Sequence, residues 1–570
     1  VVFECNPGSD GRIPDYATRG KIERQVTKSA YEHLIIYLDG RKTFQVWQWV
    51  RREHGKPAAC REHTYHVGQP GGSLIQKLRE LAVSLEEEEC LTLPDVTGRA
   101  RRAFDIERIT KRFYDRFKSE HAAFLEFFEG IPDEDMERWY VSVMLNRLMF
   151  IYFIQKKGFL DNDTDYLKNK LSQFRKEIGK DRYYRDFLCP LFFEGFAKRK
   201  EERSEKSRKL LGEVPYLNGG IFNPHQIEQL HGKTITIPDK AFEKLFEFFD
   251  AYHWHLDERP LKRDDEINPD VLGYIFEKYV NQKQMGAYYT KEDITEYISK
   301  NTVIPLLFEK GKERYKLAFE GPQSVWWLLR DNPDRYIYTA IQHGITVNIH
   351  DNSLKLIEGP LSLPPEIRIG LNDVSKRDDW NKVAPSEYAL PTETWREVIA
   401  RQKRYEEVRN KLAAGEVNSI NDFITYNLDI RQFAQDVIEN AEAPEIIRAF
   451  WRVLSEITVL DPACGSGAFL FAALNILEPL YEACLARMRC FVDELEHSSQ
   501  KHDPKKYADF REVLKRAAEH PKERYFILKS IVVNNLYGVD IMEEVVEICK
   551  LRLFLKLVAQ IEHVEDLEPL

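Results

Sequence analysis

Two acids that each close an apolar run, with a glycine turn after the first, are the residues in this chain whose types and spacing point to chemistry. Ile457-Thr458-Val459-Leu460-Asp461-Pro462-Ala463-Cys464-Gly465-Ser466-Gly467-Ala468-Phe469-Leu470 reads as a β-branched strand ending in an acid, a tight turn and the start of a long helix. A doubly wound sheet builds its ligand crevice this way, at the carboxyl end of its first strand. Gly465 and Gly467 leave room for a ligand to approach the backbone and permit positive φ. The helix N-terminus offers unpaired amides to a carboxylate. A dinucleotide site would want Gly-x-Gly-x-x-Gly, yet Leu470 stands at the third position, and the strand-end acid would repel a pyrophosphate. The acid suits a cationic ligand.

Downstream, Ile531-Val532-Val533-Asn534-Asn535-Leu536-Tyr537-Gly538-Val539-Asp540-Ile541 is expected to form a second buried strand ending in an acid. A carboxylate there can accept both ribose hydroxyls of a nucleoside. Alone, a Gly-x-Asp at a strand end is more often a turn acid; paired with the first motif it reads as a ligand group. The acid at Asp461 suits the methionine ammonium of S-adenosylmethionine, so its chemistry prefers a methyl donor to NAD. The two acids lie 79 residues apart, against roughly 20 in a compact unit. Helical patterns over Ala468 to Cys490 and Pro504 to Lys529 predict inserted helices in that gap.

The elements that must carry this site sit in a chain of 570 residues with 43% hydrophobic and 31% charged residues, too long for one ordinary core. The net charge of -10 argues against a surface basic all over, although Lys and Arg can be confined to one cleft. Eight cysteines with no Cys-x-x-Cys pair suggest neither zinc nor a disulfide framework, so a cytoplasmic location is expected. The N-terminus lacks a signal-peptide layout, and Trp139 to Ile154, interrupted by Ser142, Asn146 and Arg147, reads as a core helix; no membrane partner is expected. Val1 stands in apparent mid-strand and Leu570 follows an acidic turn, so both ends are expected to be cuts in a longer protein.

The fold class expected is multidomain α/β. Residues 1–100 form an α/β module: a strand at Val1 to Cys5, a helix over Pro14 to Tyr31, and a hairpin of His33 to Leu38 and Thr43 to Trp49 around Asp39-Gly40. Residues 101–283 form a mostly α-helical middle domain, opening with an amphipathic helix from Arg102 to Phe128. Lys198 to Lys209 reads as a solvated helix face. Asn268-Pro269-Asp270 caps another helix. Residues 284–319 begin the catalytic-type domain, 320–444 are an insertion or subdomain whose 320–400 part is Pro-rich and holds Trp326, Trp327 and Trp380, and 445–570 are the first half of an incomplete Rossmann-like core.

On these residues the sequence resembles a known family. Asp461 to Gly467 is similar to motif I of the adenine-N6 DNA methyltransferases, and Tyr537-Gly538-Val539-Asp540 to their motif II. Gln284-Met285-Gly286-Ala287-Tyr288-Tyr289-Thr290 resembles the motif X that precedes motif I in the γ class, ahead of a helix starting near Lys291. Val214 to Phe222 and Asn268 to Tyr279 resemble the helical region of large single-chain methylases, the type IIG restriction-modification enzymes and BREX-type phage-defence methyltransferases. The resemblance covers roughly residues 100–310 and 445–570. It implies S-adenosylmethionine-dependent methylation of double-stranded DNA at adenine N6, on a base flipped out of the duplex. Donor binding would fall to Asp461, Pro462, Ala463, Cys464, Gly465, Ser466 and Gly467 for the methionine moiety and to Asp540 for ribose. Ile541 would flank the adenine, with Gly286, Ala287, Tyr288, Tyr289 and Thr290 as cover. The family's Asn-Pro-Pro-Tyr catalytic motif and its target-recognition domain are absent from this chain, so no catalytic residue can be named and the segment alone is expected to be inactive.

Residues 1–50 are compatible with the tail of a PD-(D/E)xK nuclease, and read first as a degenerate nuclease-like or DNA-contacting module, then as an unrelated α/β module or an active nuclease; only an active nuclease would add Mg2+ as a second cofactor. Glu4-Cys5-Asn6 supplies the acid without the lysine; Lys21 or Lys28 would have to substitute. His253-Trp254-His255 has no third ligand nearby and predicts no metal site. Two further readings stay open: a non-catalytic defence scaffold that binds S-adenosylmethionine as an effector, and an RNA or protein methyltransferase on the same donor fold. Other restriction or phage-defence subunits are candidate partners.

Overall fold

The computed structural model describes residues 2–7, 13–14, 16–27, 30, 33–40, 42, 44–51, 59–66, 107–217, 220–256, 266–269, 273, 290, 292–321, 324–344, 346–350, 356–360, 363–385, 387–390, 392–496, 503 and 505–563. At the N-terminus β1 (Val2–Cys5) leads through α1 (Tyr16–Thr27) to a parallel neighbour, β2 (His33–Leu38). β3 (Phe44–Arg51) and β4 (Ala59–His66) continue the sheet antiparallel. Alternation sends side chains to opposite faces. Ile35, Tyr37 and Val46 pack with Ile22 and Val26 of α1, while Leu34 and Trp49 gather with Ile36 and Trp47 on the other side. Glu4 and Lys21 are both exposed, and Lys28 lies outside the described residues.

The middle of the chain is helical because its apolar residues recur at helical spacing. α2 (Glu107–Leu125) and α3 (Glu134–Lys156) pack against each other. α3 starts at Asp133, whose side chain accepts from Met136 N, and carries Glu134, Asp135 and Glu137 in its first turn, where the helix dipole favours acids. From Tyr140 to Gln155 every residue is buried. This helix runs through the core, as its sequence predicts.

The mixed-charge run from Lys198 to Lys209 departs from the expected solvated face at Arg203 and Ser207, both buried. Lys209–Glu205 and Lys200–Glu213 are exposed pairs, but Arg203 is buried and donates to Lys198 O and Val214 O, each at 3.0 Å. Two carbonyls left open by the irregular chain there need a donor that reaches inward.

The C-terminal half assembles around one long helix. α4 (Glu292–Arg314), α5 (Ile430–Glu439), α6 (Pro444–Glu456) and α8 (Glu523–Asn534) pack around α7 (Ala468–Glu496). Among the described residues α7 alone is long and apolar enough to cross a membrane, and here it is mostly buried by its neighbours. Between α6 and α7 lies β5 (Val459–Asp461); after α8 come β6 (Leu536–Gly538) and α9 (Glu543–Val558). One continuous cluster of buried apolar side chains runs from Phe113 to Ile561. Within 320–444, Trp380 belongs to a separate small core with Ile367 and Trp395. Trp326 instead stacks on Phe433 in the main core, and Trp327 is exposed.

Two expectations for the gap between the acids are corrected. Ile531 to Asn534 is the last turn of α8, not strand, and the strand is only Leu536–Gly538. Tyr525, Phe526, Ile527, Leu528 and Ile531 are all buried, so this stretch of the helix is enclosed all round and shows no one-sided spacing to set it apart from a buried strand. The helix expected from Pro504 to Lys529 is two, Ala508–Ala518 and Glu523–Asn534, with Pro521 in the break.

Candidate functional site

β5 and β6 lie parallel, with Gly538 beside Asp461 and Tyr537 beside Leu460. One buried side chain sets this register. Asn535 donates through Nδ2 to Leu454 O at 2.7 Å and Ile457 O at 2.6 Å, where α6 gives way to β5, and its Oδ1 lies 3.1 Å from the Tyr481 hydroxyl. Its backbone carbonyl accepts from Val459 N at 2.7 Å. An amide has two donors and an acceptor in fixed geometry. Asn535 uses them to start both strands at one level.

Beyond the strands the two loops are laced together. Val539 N donates to Asp461 O at 2.9 Å and Cys464 N donates to Val539 O at 3.0 Å. Asp540 then accepts from Gly465 N at 2.9 Å through Oδ2 and from Met542 N at 3.1 Å through Oδ1. The acids separated by 79 residues therefore end at one place, and Asp540 is tied to the glycine turn itself.

Asp461 is buried. Its Oδ1 accepts from Ala463 N at 3.1 Å, but its Oδ2 is buried with no hydrogen-bond partner among the described residues. An unpaired buried acceptor is costly. Burial pushes the Asp461 carboxyl above its ordinary value; the Ala463 hydrogen bond opposes this, and the Asp540 charge adds to the rise. A cation placed at Oδ2 would satisfy the oxygen and reverse the shift.

The turn is fixed from behind by α9. Gly467 has φ +96°, and a side chain there would meet Cys549 Sγ at 2.5 Å, so only glycine fits. At Gly465 the space a side chain would enter is open. Arg552 donates to Ser466 O at 2.7 Å and to Ser466 Oγ at 3.0 Å. The Cys549 thiol stays protonated, pushed up by its hydrogen bond to Cys464 and by burial.

The middle helices press α9 into place. Arg147, in the centre of α3, is fully buried and forms a bidentate pair with Glu228, Nη1 to Oε1 at 2.7 Å and Nη2 to Oε2 at 3.1 Å. It also donates to Ile221 O at 2.6 Å and Asn223 O at 3.0 Å, holding the turn Gly220–Phe222. A side chain on Gly220 would collide with Glu547 of α9, and Phe150 packs 6.1 Å from Phe554.

Of the residues singled out from sequence, Asp461, Cys464, Ser466 and Gly467 are buried, Gly465 and Asp540 half-buried, and Pro462, Ala463 and Ile541 exposed, Ile541 almost entirely. Gly286, Ala287, Tyr288 and Tyr289 lie outside the described residues; Thr290 stands just before α4. His253 and Trp254 form a two-residue strand with His255 just beyond it, and among the described residues there is no cluster of three or more groups suited to a metal. Sequence reasoning missed Arg552, Cys549 and the role of Asn535. Only Asn535, a polar residue inside an apolar run, left a signal.

Comparison with known proteins finds similarity over the stretch of chain that holds both acids and the glycine turn. Residues 435–567 match the family model described as the DNA-methyltransferase domain of MmeI, and residues 140–301 match a domain of unknown function, DUF7814. The methyltransferase match spans both acids, the turn and α9. The chain is also 25% identical over 469 residues to a protein of Methanocaldococcus jannaschii named "Putative type II restriction enzyme and methyltransferase RM.MjaORFECS2P". That alignment takes in 80% of this chain and 28% of the relative's length. No solved structure matches the chain.

Proposed function

We propose that this chain is the donor-binding part of an S-adenosylmethionine-dependent DNA methyltransferase of a restriction-modification system, acting on adenine N6. The observation that carries the reading is the orphaned Asp461 Oδ2 beside the Gly465–Gly467 turn, with Asp540 laced to the same turn. When bound, the donor supplies an electrophilic methyl group on a sulfonium. Asp461 receives the ammonium of its methionine end, the amides opening α7 receive its carboxylate, and Asp540 receives the ribose hydroxyls. Ile541 lies against the adenine of the donor, and the 286–290 segment covers it. The motif resemblance, the match to a DNA-methyltransferase domain and the relative's name support a DNA substrate and a Rossmann-like donor fold. Motifs I, II and X together support the γ class and a single-chain type IIG or BREX-type arrangement.

The pH dependence of donor binding follows from Asp461. Its ionised form binds the ammonium, and its carboxyl titrates above the ordinary range. Affinity is therefore expected to fall, as pH is lowered, sooner than an ordinary aspartate would dictate. Asp461→Asn should flatten that profile in calorimetric titrations with S-adenosylhomocysteine. A profile unaltered by the substitution counts against the ammonium assignment.

The reaction itself is tested with the full-length protein, labelled S-adenosylmethionine and duplex DNA, followed by nucleoside analysis. N6-methyladenine is the expected product. Labelled cytosine removes the adenine assignment; labelled RNA in place of DNA removes the substrate class; donor binding with no labelled nucleic acid returns the non-catalytic scaffold.

A further inference from the structure

The geometry points to Arg552 as a positioning residue for the amino-acid head of the methyl donor. This rests on the donor reading above and deepens it. Arg552 stands 86 residues beyond Ser466, outside the two acidic motifs, yet it reaches the centre of the glycine turn. Its Nη1 holds both the carbonyl and the hydroxyl of Ser466, a residue 1% exposed. Its guanidinium carbon lies 4.5 Å over the Phe471 ring, in the first turn of α7, a contact that orients the guanidinium plane. Gly273 completes the seat: a side chain there would stand 2.6 Å from Nη1. Two separate segments, the turn with the start of α7 and the chain at Gly273, thus crowd around one guanidinium behind the turn.

Two consequences follow for a ligand on the open side. The Ser466–Gly467 peptide is held in one orientation, so the turn does not have to be ordered when a ligand arrives. A permanent positive charge also lies directly behind the turn, adding to the positive end of α7 where a carboxylate would dock. Both effects act on the amino-acid head and neither touches the nucleoside. Arg552 therefore contributes to the affinity for a ligand with a methionine-type head and not for its adenosine part alone.

The test compares S-adenosylhomocysteine with 5′-methylthioadenosine, which keeps the nucleoside and lacks the amino-acid head. In the wild-type chain both are expected to bind. Arg552→Met should weaken S-adenosylhomocysteine at least about tenfold and 5′-methylthioadenosine less than about twofold. Arg552→Lys, which restores the charge and one donor, should recover part of the loss. Gly273→Ala, which pushes the guanidinium aside without removing it, should reproduce the same selective loss. Circular dichroism checks each fold, and if Arg552→Met does not fold, the other two variants carry the comparison. Equal losses for both ligands, or none, overturn the assignment. A wild-type chain that binds neither ligand overturns the donor reading and this inference with it.

Discussion

Arg147→Ala is expected to lower stability by about 3–5 kcal/mol, the cost of breaking a buried ion pair from one side. The loss has three parts. Glu228 is left buried without its cation, the Ile221 and Asn223 carbonyls lose their donor, and the space of a side chain packed over Phe192 is emptied. Burial alone would raise the Glu228 carboxyl, but Arg147, Tyr140 and the His225 amide outweigh it and hold it below its ordinary value. An acid with a depressed folded value contributes stability that is full above its ordinary range. That contribution is lost as pH falls through the folded value. The wild-type urea midpoint should therefore drop on acidification into that window, and the variant should show less of this drop. A double variant, Arg147→Met with Glu228→Leu, should recover much of the loss, since removing both charges removes the desolvation penalty. A single variant with the wild-type midpoint at pH 7 would show that the pair does not hold the Gly220–Phe222 turn.

Asp540→Ala is expected to weaken binding of S-adenosylhomocysteine by about 1–3 kcal/mol, the scale of hydrogen bonds to a charged group, or roughly fivefold to 150-fold. The carboxylate has two tasks in this structure. It accepts from Gly465 N and Met542 N, closing the turn onto the second strand, and on the donor reading its remaining lone pairs take the ribose hydroxyls. Asp540→Asn separates the two: it keeps one carbonyl acceptor for the turn but removes the negative charge and offers an NH2 where the ribose must donate. If ribose binding dominates, the asparagine variant loses nearly as much affinity as alanine. Removing the charge also relieves Asp461, so the pH profile of binding should move to lower pH in both variants. Unchanged calorimetric affinity in both variants would remove Asp540 from the site.

The local parts of this site were legible because they are chemically unusual over a few residues. Asp461 followed by Gly465-Ser466-Gly467 can be recognised without coordinates, since an acid at a strand end and two glycines at a helix start have few other uses. The buried helix around Arg147 was legible from its largely apolar run, broken only by Ser142, Asn146 and Arg147 between Trp139 and Ile154. The second strand was misread for a related reason. Ile531 to Val533 are β-branched and apolar, which fits a buried strand and a buried helical turn equally. Asn535 decides between them, since its amide must be spent on Leu454 and Ile457, and those carbonyls are invisible in a string of letters.

The sequence by itself determined which short segments could grip a charged head and a sugar, because backbone freedom and side-chain charge are properties of neighbouring residues. It also determined that the region between them is helical. The tertiary structure decided that the two acids meet, that one Asp461 oxygen is left without a partner among the described residues, that Arg552 braces the glycine turn, and that Arg147 holds the separate Gly220–Phe222 turn beside α9. Those outcomes depend on burial and on hydrogen bonds between residues 74 to 86 positions apart. Packing sets such distances, and no local pattern encodes them.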